Sequence, residues 1–284
     1  VLVEPELQEI RPFLAAFVIT GKPIDEVMLR DIIQTQEKLA WNFGRKRKSL
    51  SMGVYRSELI HFPVHYKAVD PDKTSFIPLQ GERPMTCRQI LSDHPKGKDF
   101  GWILQDMERF PLLTDDAGEP LSMPPIINSA TLGAVQTGDR NLMVELTGDN
   151  MENLILAANI VACDFIDCGY RIEPILVKHP YETGFGKDIA VPFYFQKPIK
   201  ARLSNINRLL GSDFDAPAAL EALKRMGNTV EAEQMFLDGK QDTEFTVNPP
   251  PYRNDFLHEA DVIEDVMIGA GLDSFEPEMP KDFT

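Results

Sequence analysis

The spacing of apolar positions changes several times along the chain, and each change marks an element. Residues 24–43 place Ile24, Met28, Ile32 and Leu39 on one stripe, the repeat of an amphipathic helix. Pro23, Asp25 and Glu26 suit its start and Gly44 its stop. Residues 49–54 alternate as a strand does. Thr86-Cys87-Arg88-Gln89 has capping-box spacing and predicts a short helix. Residues 96–105 predict another, with Phe100, Ile103 and Leu104 as its apolar side. Asp115-Asp116-Ala117-Gly118 is turn chemistry. Residues 142–147 read as a strand with Leu142, Val144 and Leu146 on a buried face and Met143, Glu145 and Thr147 on the other. Asp149 or Asn150 then caps a helix through Leu154, Ala158, Val161 and Phe165 that ends at Gly169, and strands follow over 173–177 and 189–195.

Helices and strands are interspersed without a regular βαβ repeat, so the expected fold class is α+β. A boundary is expected near Gln196-Lys197-Pro198, dividing a mixed-sheet domain, 1–196, from a compact unit, 197–284. In the second unit a helix over 204–210 stops at Gly211, and Asp215 caps another. That second helix has Pro217 in its first turn, Leu220 and Leu223 facing inward and Gly227 at its end. Residues 229–236 and 244–247 predict a hairpin around Asp238-Gly239. Pro249-Pro250-Pro251 is a stiff connector, and a last helix is expected over 258–268. Two helices, a hairpin and a helix give a winged-helix-like arrangement.

Composition narrows the class. The 284 residues are 43% hydrophobic and 26% charged, the balance of a globular protein, and no apolar run reaches the roughly 20 residues of a membrane span. The chain opens on Val1, which reads most simply as a piece of a longer polypeptide. Cys87, Cys163 and Cys168 are odd in number and lack zinc spacing, as expected of reduced thiols in a cytoplasmic protein. A net charge of −15 opposes broad binding to a phosphate backbone. The basic cluster Arg45-Lys46-Arg47-Lys48 reads on spacing as a solvated helix end.

Candidate chemistry concentrates in two places. From Pro120 to Ser129, prolines hold hydroxyl and amide groups at low entropy cost, beside the strand that carries Glu145 and Thr147. That pairing could read a small polar ligand, although spacing alone favours Glu145 as the exposed face of a strand. The second place is Asp255 with Asp261, Glu264 and Asp265. The last three share a helix face, which reads either as a solvated acidic face or as a site for Mg²⁺, with the solvated face preferred. His61, His65, His94, His179 and His258 are scattered, and Pro63 separates the first two, so all five read as structural or surface groups. His179 beside Pro180-Tyr181 is the one that could line a site. No glycine-rich phosphate loop or nucleophile elbow is present.

An ordered set of segments then resembles one family. Ile10-Arg11-Pro12, Gln36-Glu37-Lys38-Leu39, Gly44-Arg45-Lys46-Arg47 and Tyr66-Lys67-Ala68-Val69-Asp70-Pro71 open the match. Met123-Pro124-Pro125-Ile126-Ile127-Asn128-Ser129, Thr147-Gly148 and Pro250-Pro251-Tyr252-Arg253-Asn254-Asp255 complete it. Together they resemble the phenylalanine–tRNA ligase β subunit of the archaeal and eukaryotic type. The resemblance implies a module that hydrolyses tyrosine wrongly attached to tRNA(Phe), followed by a winged-helix-like module. It implies editing-pocket residues at Leu113, Ser122, Asn128, Glu145 and Thr147, with Asn128 in the catalytic role and Glu145 where some archaeal relatives use Asp. It further implies Mg²⁺ at Asp255, Asp261, Glu264 and Asp265 at the subunit boundary, and a place for Arg45 to Lys48 near the tRNA 3′ end. The expected partners are tRNA(Phe) and an α subunit, in a heterotetramer of two α and two β. ATP belongs to the full enzyme, so the chain alone is not expected to aminoacylate.

The expected chemistry follows from one hydroxyl. A hydrophobic pocket rejects an isostere that merely adds a hydroxyl by only about 10², whereas a site built to bond that hydroxyl rejects the analogue lacking it by about 10⁴ or more. Glu145 is the natural acceptor for a tyrosine phenol. Hydrolysis of an activated ester needs a positioned water more than a nucleophile. Two other classes stand beside editing: a noncatalytic scaffold that docks the α subunit and tRNA, and DNA binding by the second unit, which its acidic last helix argues against.

Overall fold

The large sheet of the first unit grows around strands buried on both faces. In the computed structural model, which describes residues 1–237 and 239–275, the chain divides into two units, Val1–Phe193 and a second beginning at Tyr194. Strands of the first are β1 (Leu2–Val3), β2 (Phe13–Thr20), β3 (Leu50–Arg56), β4 (His65–Val69), β5 (Ser75–Phe76) and β6 (Met85–Thr86). They continue as β7 (Phe110–Thr114), β8 (Pro120–Met123), β9 (Ile127–Asn128), β10 (Leu142–Gly148), β11 (Arg171–Lys178) and β12 (Asp188–Val191). The order β3-β10-β2-β11-β1-β4-β7-β8-β9, with β12 beside β11, makes a ten-stranded sheet, while β5 and β6 pair separately. β1 runs parallel to β11 and β4, and the other ladders are antiparallel, so the sheet is mixed. With the helices this is an α+β fold.

Helix α1 (Glu26–Lys38) starts where the Asp25 carboxylate accepts the Met28 N–H, then widens into a π-helical turn, Leu39–Phe43, before Gly44. Helix α2 (Cys87–Asp93) opens on the expected capping box between Thr86 and Gln89, and α3 (Pro95–Phe100) follows it. Helix α4 (Met151–Asp167), capped by Asn150, packs on β2 and β10. Its residues Leu154, Ala158, Val161 and Phe165 are buried, as their spacing predicts.

Three expectations change. The segment from Pro120 to Ser129 is a buried hairpin of β8 and β9 rather than a loop, because Met123, Ile126 and Ile127 join the core of Phe110 and Leu112. The other face of β10 is not exposed: Met143 packs with Tyr55, Tyr66 and Leu113, and Glu145 and Thr147 are buried beside it. The strand expected over 189–195 stops at Val191, since Pro192 has no N–H for a ladder.

The second unit holds β13 (Ile199–Arg202), α5 (Leu203–Leu210), α6 (Ala216–Arg225), β14 (Thr229–Leu237), β15 (Lys240–Asn248) and α7 (Glu259–Ala270). Gly211 ends α5 at φ 64°, and Asp215 caps α6. The strands form an antiparallel sheet in the order β13-β15-β14. Asp238, expected at the hairpin tip, lies outside the described residues. β13 is an addition to the expected elements, pinned where buried Ala201 meets Phe245 across the ladder. Ile206, Leu223, Phe245, Val247, Val262 and Val266 make a core of their own, with Leu220 only partly buried at its edge. Among the described residues no helix is long and apolar enough to cross a membrane.

Candidate functional site

Pairing of β3 with β10 sets Gly53 opposite Glu145 and Tyr55 opposite Met143. The Tyr55 ring therefore reaches Glu145 diagonally across the ladder, with Oη 2.6 Å from Glu145 Oε2 and 2.8 Å from Ser122 Oγ of β8. A phenol has one proton. The ionised carboxylate is the stronger acceptor, so Tyr55 donates to Glu145 and the Ser122 hydroxyl donates to Tyr55. Glu145 is 2% exposed, and among the described residues its Oε1 has no hydrogen-bond partner.

Gly53 makes this geometry possible. A Cβ there would lie 2.1 Å from Tyr55 Oη and 2.6 Å from Glu145 Oε2, closer than side chains tolerate. Over these groups opens a cavity of about 440 Å³, lined by Gly53, Tyr55, Ser122, Asn128 and Glu145 together with Pro124, Pro125 and residues of α1. That volume suits a small ligand. Asn128 pairs with Ser122 across β8 and β9, and its Nδ2 donates to the Val54 carbonyl at 3.3 Å. Gly133 lets the chain pass close to it, since a Cβ there would lie 2.4 Å from Asn128 Cβ.

Burial pushes the Glu145 carboxyl up to about 7, against the opposing Tyr55 hydrogen bond, the Arg11 charge and the neighbouring Thr147 hydroxyl. The Tyr55 phenol is raised well above its ordinary value, by burial first and then by Glu145. Arg11 is itself buried and donates to Thr147 Oγ1 at 2.9 Å, the Thr147 carbonyl at 2.6 Å, Ser51 Oγ at 3.1 Å and the Lys48 carbonyl at 2.8 Å.

Of the residues the resemblance implied for the pocket, Ser122, Asn128 and Glu145 line the cavity. Leu113 and Thr147 do not. Leu113 packs in the core beside Ser122, its partner across β7 and β8, and the Thr147 hydroxyl is occupied by Arg11 and Ser51. His179 is buried and held at both ring nitrogens, by the Leu14 N–H and the Lys187 carbonyl, so it is structural.

The basic cluster is not a simple solvated helix end. Arg45, Lys46 and Arg47 are consecutive left-handed residues, at φ 48°, 56° and 69°. Arg47 turns into the cavity wall, donating to the Pro125 and Ile126 carbonyls with its guanidinium 4.2 Å from the Phe100 ring.

The acidic set does not converge. Arg253 bonds both Asp255 and Asp265, and Asn228 donates to Asp265 at 2.6 Å. Asp261 Oδ2 accepts the Leu257 and His258 N–H groups at the start of α7, and Glu264 is exposed. Among the described residues no group of three or more His, Cys, Asp or Glu is arranged to hold a metal. As arranged in this chain, the set of four leaves too few carboxylate oxygens free for a hard cation, which needs them to coordinate.

Sequence reading missed Tyr55, Gly53, Arg11 as a buried cation and Arg47 as a wall residue. The one available signal was the glycine two positions before a tyrosine in an alternating segment, where a missing side chain marks a close approach.

A mixed sheet with a buried carboxylate beside a cavity, followed by a small helix-and-hairpin unit, is matched from both ends by tRNA synthetases. Residues 199–272 match the family model described as the tRNA synthetase B5 domain. The chain is 45% identical over its full length to the phenylalanine–tRNA ligase β subunit of Borrelia turicatae, covering 49% of that protein. It is likewise 45% identical over its full length to the β subunit of Treponema pallidum subsp. pallidum, covering 46% of it. Its fold matches the crystal structure of an N-terminal fragment of the phenylalanyl-tRNA synthetase β subunit from Pyrococcus horikoshii. The TM-score is 0.84 at 32% identity, over 95% of this chain and 74% of that one. The chain belongs to the phenylalanine–tRNA ligase β-subunit family. It spans about half the length of the curated relatives it matches.

Proposed function

We propose that the first unit hydrolyses tyrosine esterified to tRNA(Phe), as part of a phenylalanine–tRNA ligase. The observation that carries this reading is Glu145 Oε1, a buried carboxylate oxygen with no partner among the described residues, at a residue that lines a cavity. A tyrosyl group fills the cavity and its phenol donates to Oε1. A phenylalanyl group makes no such bond and leaves Oε1 as it stands in the free chain, so it gains nothing from the carboxylate. Asn128 holds the amino or carbonyl group of the ester and has the catalytic role. Water adds to the ester carbonyl, the bond to the ribose oxygen breaks, and that oxygen takes up a proton, releasing tyrosine and free tRNA. A ribose hydroxyl of the substrate assists the water. Leu113 and Thr147 contribute from behind, Leu113 through the core beside Ser122 and Thr147 through Arg11.

The test is hydrolysis of preformed tyrosyl-tRNA(Phe) by the full-length β subunit assembled with its α subunit. Asn128→Ala and Glu145→Ala are each expected to slow it by about 100-fold or more. Unchanged rates in both variants overturn the reading, and their loss also separates editing from a noncatalytic docking role.

The same proposal places the chain in the cytoplasm, with tRNA(Phe) and an α subunit as partners in a tetramer of two α and two β, and with ATP used elsewhere in the full enzyme. Mg²⁺ at the set of Asp255, Asp261, Glu264 and Asp265 is proposed for that assembly alone. The Arg253 and Asn228 bonds to Asp265 would have to open for it. Calorimetric titration of Mg²⁺ into chain and assembly decides, and absence of heat in both removes the ion.

A further inference from the structure

A buried carboxylate with two equivalent oxygens can turn, and a turned carboxylate reads nothing. At Glu145 the two oxygens are not equivalent. Oε2 is held by the Tyr55 phenol at 2.6 Å, the phenol is held by Ser122 at 2.8 Å, and Oε1 has no partner among the described residues. Ser122 sits on the β8–β9 hairpin that also carries Asn128, so one hydrogen-bonded chain ties both walls of the cavity to a single carboxylate orientation. Gly53 is the position that leaves room for it.

We propose that Tyr55 is a positioning residue for recognition: it fixes Glu145 by Oε2 and thereby reserves Oε1 for the hydroxyl of a phenolic ligand. This rests on the editing reading of the cavity. Tyr55 is thus an internal phenol that occupies half of the carboxylate, and the ligand phenol occupies the other half. The resulting pair of phenols on one carboxylate is a charge-assisted arrangement that a benzyl side chain cannot complete.

The charged and titratable groups around Glu145 are few. Tyr55 faces it from β3, Arg11 acts from the segment before β2, and Tyr66 lies on β4. Burial lowers the Arg11 guanidinium from its ordinary value, yet a guanidinium keeps its proton in proteins, and burial raises both tyrosine phenols, so between pH 5.5 and 8.5 the Glu145 carboxyl is the member of this group that titrates. Its ionised form is the one that accepts a phenol proton, so preference for a phenol should rise with pH. The Tyr55 bond favours that ionised form, and losing the bond should move the midpoint upward.

The experiment is calorimetric titration of the chain with two stable probes, 3′-tyrosylamino- and 3′-phenylalanylamino-adenosine, between pH 5.5 and 8.5. The wild-type chain should prefer the tyrosyl probe, increasingly so as pH rises. Tyr55→Phe should cut that preference at neutral pH by tenfold or more and shift its midpoint to higher pH, and Ser122→Ala should do the same more weakly. Ser122→Ala keeps the test open should Tyr55→Phe fail to fold. Glu145→Gln should abolish the pH dependence. Wild-type preference and midpoint in both Tyr55→Phe and Ser122→Ala, with loss in Glu145→Gln, overturn the role of Tyr55 and leave the editing reading standing. No tyrosyl preference in the wild-type chain overturns the editing reading, and the role of Tyr55 with it.

Discussion

Glu145 costs this protein stability, and the sign of that cost is testable. Its folded carboxyl titrates near 7 because burial disfavours the charge, against an ordinary value of 4.5. Below 4.5 both folded and unfolded chains hold the proton and nothing is lost. Between 4.5 and about 7 the folded chain alone holds it, so stability falls as pH rises through that window and then levels off. The full loss is on the order of 3 kcal/mol. Glu145→Gln keeps an acceptor for Tyr55 without the charge. Its melting temperature should exceed that of the wild-type chain above pH 7 and converge with it near pH 5, as thermal denaturation across pH would show. Gly53 and Tyr55 are also coupled. Gly53→Ala should destabilise strongly, and Tyr55→Phe should relieve part of the cost, removing the oxygen 2.1 Å from the new Cβ while the ring Cζ and Glu145 Oε2 stay 2.6 Å away. A double-mutant cycle of denaturant midpoints measures that coupling.

Local chemistry decides the elements whose ends were legible. The capping box at Thr86 and Gln89 was readable because both its bonds lie within three residues, and Thr86→Ala should cost about 1 kcal/mol in urea denaturation. Asp25, Asn150 and Asp215 were readable for the same reason. The hairpin of β8 and β9 was not, because its prolines suggest a loop while its burial is decided by distant Phe110 and Leu112. The site divides along that line. Ser122, Asn128 and Glu145 were named from family resemblance, while periodicity left Glu145 on a solvent face. Tyr55 joins them only through the β3–β10 register, which no local pattern announces. The turn at Arg45–Arg47 was hidden too, since non-glycine residues seldom run left-handed and pattern alone favours a helix end. Arg47 repays that conformation by pinning the Pro125 and Ile126 carbonyls. Arg47→Ala should loosen the hairpin, seen as faster amide exchange over 120–129 and weaker binding of the tyrosyl probe.

At the scale of the whole molecule, each unit keeps its own core, the second around Phe245, Val247 and Val262. There Arg253 holds the buried Asp265, and Arg253→Ala leaves that carboxylate without its cation. The expected loss is about 3–5 kcal/mol, confined in hydrogen exchange to residues from Tyr194 onward. The first unit spreads its site over long reaches of chain: Tyr55 meets Glu145 across 90 residues and Ser122 across 67. Contacts of such separation form only once the sheet has assembled, because loop closure must precede them. Under the proposed function, the carboxylate is therefore also a sensor of complete folding. A chain whose β3 has not docked on β10 has no Tyr55 bond, a solvated Glu145 and no cavity, so under the proposed function a misassembled first unit would be silent rather than indiscriminate.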